Sequence, residues 1–165
     1  MLLFIGIPSE PPLQMAISSA EKAGIPHVVL DQREMHFCNL AIGFINNKFS
    51  ATLQLHDKDY KLEEFSGIYF RMMDYGSMPH TDPRSLRYIG MDNVQKSGLL
   101  HQQLLYWMDM TRVRILNAPW AMGSNMSKPY QAQLIKEVGF KIPATCITTD
   151  KTWMQQFQQK YPSLI

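Results

Sequence analysis

The chain has 165 residues, enough for one domain with a full core or for one domain and the start of a second, but too few for two complete ones. Hydrophobic residues make up 45% and charged residues 18%, a balance that supports folding and excludes a disordered chain. Lys and Arg number 16 against 14 Asp and Glu, and the net charge of +2 is too weak a field to imply nucleic acid or an anionic membrane as partner.

Leu2 to Ile7 (LLFIGI) is a continuous apolar run stopped by Pro8, the pattern of a strand covered on both faces, and it reads as the central strand of a parallel sheet. From Leu13 to Ala23, apolar or small residues at Leu13, Ala16, Ile17 and Ala20 mark one face of a helix that Gly24 ends. Pro26 to Asp31 is a second strand, so the chain opens as β-α-β with a right-handed crossover and the class is α/β. Ala41 to Ile45 and Phe49 to His56 flank Asn46-Asn47-Lys48, whose asparagines tolerate left-handed geometry, and predict an inserted β-hairpin. Leu62 to Phe65 fits one helical turn, and Gly67 to Arg71 returns as an apolar strand with a basic residue at its end.

After a polar loop, Asp74 to Pro83, the stripe Leu86, Ile89, Val94, Leu100, Leu104 and Trp107 predicts the longest helix, running through Met108. Arg112 to Leu116 is a further strand, ended by Asn117-Ala118-Pro119. Ser127 caps the next helix, Pro129 sits in its first turn, Leu134, Ile135 and Val138 supply a buried face, and Gly139 ends it. Ile142 to Thr148 is expected as a strand, Asp150 opens a last helix to about Gln159, and Ser163-Leu164-Ile165 has the look of another strand beginning. The expected architecture is a mainly parallel, Rossmann-like sheet flanked by helices, with an inserted hairpin and a C-terminal helix-strand-helix extension.

The motifs exclude more than they name. The loop after the first strand, Gly6-Ile7-Pro8-Ser9-Glu10-Pro11-Pro12, carries neither GxGxxG nor GxxxxGK[ST], and without those glycines a backbone cannot approach a diphosphate closely. The five histidines show no HExxH and no tight ligand spacing, which favours structural roles over metal binding. There is no GxSxG elbow, and the 12 methionines read as adaptable core filler. Cys38 and Cys146 stand apart without CxxC or Cys-His spacing and are expected as buried, inert thiols. No apolar run reaches the ~20 residues of a membrane helix. The N-terminus lacks the basic n-region of a signal peptide, so the default location is cytoplasmic. Arg71 closes an apolar strand and precedes a loop, the place where open α/β sheets put ligand contacts.

The stretch from Ile115 to Asp150 combines several independent features. Asn117-Ala118-Pro119 ends a strand; Asn125-Met126-Ser127-Lys128 starts a helix; Gln133-Leu134-Ile135 and Gly139 carry and end it; Ile142-Pro143-Ala144-Thr145-Cys146-Ile147-Thr148-Thr149-Asp150 follows. In order and spacing this resembles the junction between the N-terminal domain and the first nucleotide-binding lobe of ATP-grasp ligases, in the glutathione synthetase and RimK-like branch. The region before it fits the pre-ATP-grasp domain of such enzymes in outline.

The resemblance implies a pre-ATP-grasp substrate domain over residues 1–118, with 119–165 as the linker and truncated start of the first ATP-grasp lobe. It implies the N-terminal part of an ATP-dependent carboxylate-amine ligase of the peptide type, acting through an acyl phosphate, with ATP and Mg2+ as cofactors of the full-length protein. None is expected in this fragment, for which no catalytic or metal residue is assigned and which should be catalytically silent because it lacks the lobes that bind ATP and magnesium. Lys128 matches the family's lysine at the helix start that reaches nucleotide phosphates. Arg71 is a candidate clamp for the substrate carboxylate, with Tyr75 and Ser9 as neighbours. The implied partners are the missing lobes of the same protein and a small-molecule or peptide carboxylate, with self-association left open. The competing reading is a non-catalytic α/β binding or interaction module, in which Lys128 is a solvated first-turn lysine and Arg71 an ordinary surface arginine.

Overall fold

The computed structural model describes residues 1–45 and 47–162, and of residues 45, 48 and 124–126 the backbone alone. Along them run β1 (Leu2–Gly6), α1 (Pro11–Lys22), β2 (His27–Asp31), β3 (Asn39–Ile45), β4 (Lys48–Leu55), β5 (Lys58–Lys61), β6 (Gly67–Arg71), α2 (Met91–Met110), β7 (Ile115–Leu116), α3 (Lys128–Glu137) and α4 (Lys151–Lys160). Residues 1–121 form one compact unit and residues 122–165 a second.

In the first unit, β1 lies between β2 and β6 in a parallel sheet of order β2-β1-β6-β7. Alternate side chains of β1 face opposite ways, as strand geometry requires. Leu3 and Ile5 are fully buried in a core shared with Leu100, Leu104 and Trp107 of α2, whereas Phe4 packs with Leu13 and Ala20 of α1. The sheet is thus covered on both faces, which is why its central strand is apolar without interruption. α1 ends as expected: Gly24 takes φ 64°, its amide bonds to Glu21 O at 3.0 Å, and the Ile25 amide reaches back to Ala20 O at 2.9 Å.

The inserted hairpin is larger than the sequence indicated, for β5 adds a third antiparallel strand in the order β3-β4-β5. Leu55 pairs with Lys58 across a two-residue turn in which His56 and Asp57 have φ of 49° and 60°. Both values are positive, the mark of a type I′ turn, but His-Asp is not the Asn-Gly or Asp-Gly pair that advertises one. At the preceding turn Asn47 has φ 58°, while Asn46 lies outside the described residues. This small sheet is joined to α2 through Glu63, whose carboxylate accepts the Ala51 amide at 3.0 Å and the Trp107 indole N–H at 2.9 Å.

Several boundaries move. The long helix begins at Met91, not near Leu86, which is fully exposed. Gly90 at φ 88° marks its start, and upstream Asp82 and Ser85 accept hydrogen bonds from the amides of Arg84 and Arg87. Such local side-chain bonds compete with helix formation. Of the strand expected over residues 112–116, only Ile115–Leu116 pairs with β6.

In the second unit the local signals hold while the packing is less complete than in the first. Ser127 caps α3 by accepting from the Tyr130 amide, Gly139 ends it at φ 90°, and Asp150 caps α4 by accepting from the Thr152 amide at 2.7 Å. Leu134, Ile135 and Val138, expected as a buried face, are exposed, and residues 142–148 form no ladder. A strand needs a hydrogen-bonding neighbour, and its sequence cannot supply one. Cys38 is buried, with burial pushing its thiol up to about 11, while Cys146, also expected as buried, is only half-buried. The strand anticipated at Ser163-Leu164-Ile165 lies outside the described residues. No helix among the described residues is long and apolar enough to cross a membrane.

Candidate functional site

The topology itself marks a place for a ligand. From β1 the chain leaves through α1 to β2 on one side, and from β6 it leaves through α2 to β7 on the other. α1 and α2 pack on opposite faces of the sheet. The two loops therefore separate at the carboxyl ends of β1 and β6, the switch point at which open α/β sheets place ligands. Gly6 and Arg71 are register partners there. Gly6 has φ 151°, and a Cβ on it would stand 2.7 Å from Arg71 O, so only glycine lets the two strand ends close up.

Arg71 extends on the α1 face and donates from Nε to Glu10 Oε2 at 2.9 Å; its Nη2 bonds Glu10 Oε1. Both side chains are about a third exposed. This hydrogen-bonded pairing holds the Glu10 carboxyl below its usual range against a smaller opposing effect of burial, and raises the Arg71 guanidinium correspondingly. Two further polar groups fasten the chain at these strand ends. The buried Gln32 amide grips the backbone of Met73, donating to its carbonyl at 2.7 Å and accepting its N–H at 2.8 Å, while Asn117, at φ 62°, donates to Phe70 O at 3.3 Å. The loops after β2, β6 and β7 are thus tied together at one edge.

A phosphate cradle is not formed at this edge. Pro11 and Pro12 occupy the first two positions of α1, so two of the amides that would face an anion do not exist. The absence of a glycine-rich loop and the loss of these donors point the same way.

The sequence-derived candidates divide. Ser9 is exposed in the turn closed by the Glu10 amide on Ile7 O, immediately beside the Arg71 pair. Tyr75 instead packs with His80 and His101, its ring centroid 5.7 and 6.0 Å from theirs, and against Gly98 of α2. Burial pushes its phenol up, with a smaller opposing pull from Ser97. It buttresses the loop after β6, away from Arg71's hydrogen bonds to Glu10. Lys128 lies in the second unit, exposed in the first turn of α3, with Nζ 3.2 Å from Gln131 Oε1. Glu10, Gln32 and Asn117 were not singled out as site residues from the sequence. Glu10 is adjacent to a helix-starting proline, and nothing local announces a partner far along the chain.

The fit to ATP and Mg2+ is partial. Lys128 and a capped helix start could meet one phosphate. Among the described residues, however, no group of three or more His, Cys, Asp or Glu could hold a metal ion.

No protein-family profile matches this chain. Nor does any curated protein sequence match it. Solved structures do. A Chryseobacterium gregarium RiPP-associated ATP-grasp ligase, in complex with ADP and a leader and core peptide, superposes with a TM-score of 0.70 at 21% identity, covering 98% of this chain and 48% of that one. The macrocyclase MdnC from Microcystis aeruginosa MRC, bound with precursor peptide MdnA, gives 0.66 at 18%, covering 98% and 52%. The ATP-grasp ligase PsnB, complexed with a minimal precursor, gives 0.65 at 19%, covering 96% and 50%. At such identities the likeness establishes the fold, and the chain, an α/β protein with structural neighbours among ATP-grasp ligases, spans about half the length of each.

Proposed function

We propose that this chain is the N-terminal part of an ATP-dependent carboxylate-amine ligase acting on a peptide. The observation that carries the reading is the agreement of two independent features over one chain. The fold follows ATP-grasp ligases over nearly its whole length, and the helix-start motif Ser127-Lys128 falls, capped as expected, after the substrate-type domain. In this reading residues 1–118 are the substrate domain and 119–165 lead into the first nucleotide-binding lobe. Arg71 and Ser9 line the carboxylate site, Tyr75 supports its wall, and Lys128 meets a nucleotide phosphate. The finer placement, an acyl-phosphate route in the glutathione synthetase and RimK-like branch with ATP and Mg2+ as cofactors, is supported by the order of motifs from Asn117 to Asp150. That neighbours are complexed with precursor peptides supports a peptide as substrate.

Lys128→Ala in a protein extended by the remaining lobes tests the reading. Loss of a charge-assisted phosphate contact should lower ligation more than about tenfold while the melting temperature stays unchanged. Wild-type ligation by the variant would make Lys128 a solvated lysine. The second reading, a non-catalytic binding module, is favoured by one observation, the engagement of Arg71 by Glu10. It predicts that the extended protein ligates no peptide.

A further inference from the structure

We propose that Glu10 is a built-in competitor for the ligand carboxylate at Arg71: the switch-point edge of the sheet binds a carboxylate-bearing peptide by exchanging it for Glu10. The inference rests on the reading above only for the ligand being a peptide. Its physical basis lies in how Glu10 is held. Glu10 occupies the N-cap of α1, yet its side chain makes no capping hydrogen bond. The next two residues are prolines without an N–H, so the helix end offers little to retain a carboxylate. Arg71 is therefore its recorded side-chain partner, through Nε and Nη2.

Arg71 itself is fixed by other means. Its backbone sits in the β1–β6 ladder opposite Gly6. The loop that follows is pinned by Gln32 on Met73. The strand end that carries the guanidinium is thus held without Glu10, and Tyr69 is a second, lesser side-chain partner of Arg71.

Both members of the pair are about a third exposed. Exchange for another carboxylate replaces one screened ion pair by an equivalent one, with little desolvation to overcome. What an incoming ligand must overcome is proximity: Glu10 is attached to the same chain, at an effective concentration that a free small acid cannot match. Only a carboxylate carried on a ligand with contacts of its own, as a peptide side chain is, displaces it. Glu10 would thus exclude free metabolite-sized acids and admit a docked peptide.

The test uses this chain and the probe peptide acetyl-Gly-Glu-Gly-amide, with acetyl-Gly-Gln-Gly-amide as the neutral control. Binding is followed by calorimetric titration and, in the proteins that keep Arg71, also through its Nε–H resonance. If Glu10 competes, Glu10→Gln and Glu10→Ala each bind the acidic probe up to about fivefold more tightly than wild type, the scale of a released exposed ion pair. The control peptide gains nothing, and Arg71→Gln added to Glu10→Ala abolishes the gain. Unchanged or weaker binding by both Glu10 variants, or no binding by either, overturns the proposal; the weaker result would make Glu10 an orienting strut. Glu10→Gln is isosteric at a partly exposed site, so misfolding does not confuse the outcome. Ligation by the extended protein with no effect of Glu10 on probe binding would sink this inference alone. Tighter binding in the variants with no ligation would sink only the ligase reading.

Discussion

Residues 1–121 and 122–165 are equally well signed in sequence and quite differently built. Every residue of the buried core, from Leu3 to Met108, lies in the first unit, and no buried residue is found among those described in the second. Yet α3 and α4 have the better helix caps, Ser127 and Asp150, whereas α1 and α2 begin at Glu10 and Gly90 with no side-chain cap. Caps satisfy orphan amides at a helix end and need only neighbouring residues. A core needs surfaces brought from far along the chain. Good local chemistry and good packing are separate achievements, and the two units separate them.

Hydrogen exchange should show the largest contrast. The β1 amides, laddered on both sides, should exchange at least roughly 1,000-fold more slowly than the amides of residues 142–148, which have no ladder. Equal protection would break the contrast.

Next come two tryptophans. Trp107→Ala removes a fully buried ring and its bond to Glu63 and should cost about 3–5 kcal/mol in chemical denaturation, whereas exposed Trp153→Ala should change stability by less than about 0.5 kcal/mol. Two glycines repeat the comparison on a smaller scale. Gly6→Ala puts a methyl group 2.7 Å from Arg71 O at φ 151° and should cost on the order of 3 kcal/mol. Gly139→Ala at φ 90° meets nothing within 4 Å and should cost about 1 kcal/mol, for the backbone alone.

The smallest effect concerns pH. Burial holds the imidazoles of His36, His80 and His101 below their ordinary range. As pH falls below about 6.5 the unfolded chain therefore takes up protons first, and stability declines with acidification until the folded-state values are reached. Glu10, depressed by Arg71, adds stability above the ordinary carboxylate range that is lost as pH falls through its own lower value. All these groups are in the first unit, and no histidine occurs after His101. A shallower stability-versus-pH slope in His101→Gln would support the assignment; a pH-dependent loss of α4 helicity with the first unit intact would contradict it.

By itself the sequence determined the elements whose causes are local: the apolar run of β1, the glycine stop of α1, the caps of α3 and α4, and the strand of β6 with Arg71 at its end. It also determined that no phosphate loop follows β1. Tertiary structure alone decided which apolar faces became core: the stripes of α2 and α3 look alike in sequence, but that of α2 is buried in the core of the first unit and that of α3 is exposed. It alone produced β5, from a His-Asp turn that lacks the glycine by which such turns are usually read and is held by the β4–β5 ladder. It also brought Glu10 to Arg71, a contact between residues 61 positions apart. Propensity, capping and turn chemistry act over a few residues, and pattern reading captures them. Pairing, burial and charge contact between distant segments depend on where the fold places each surface, which no local stretch encodes.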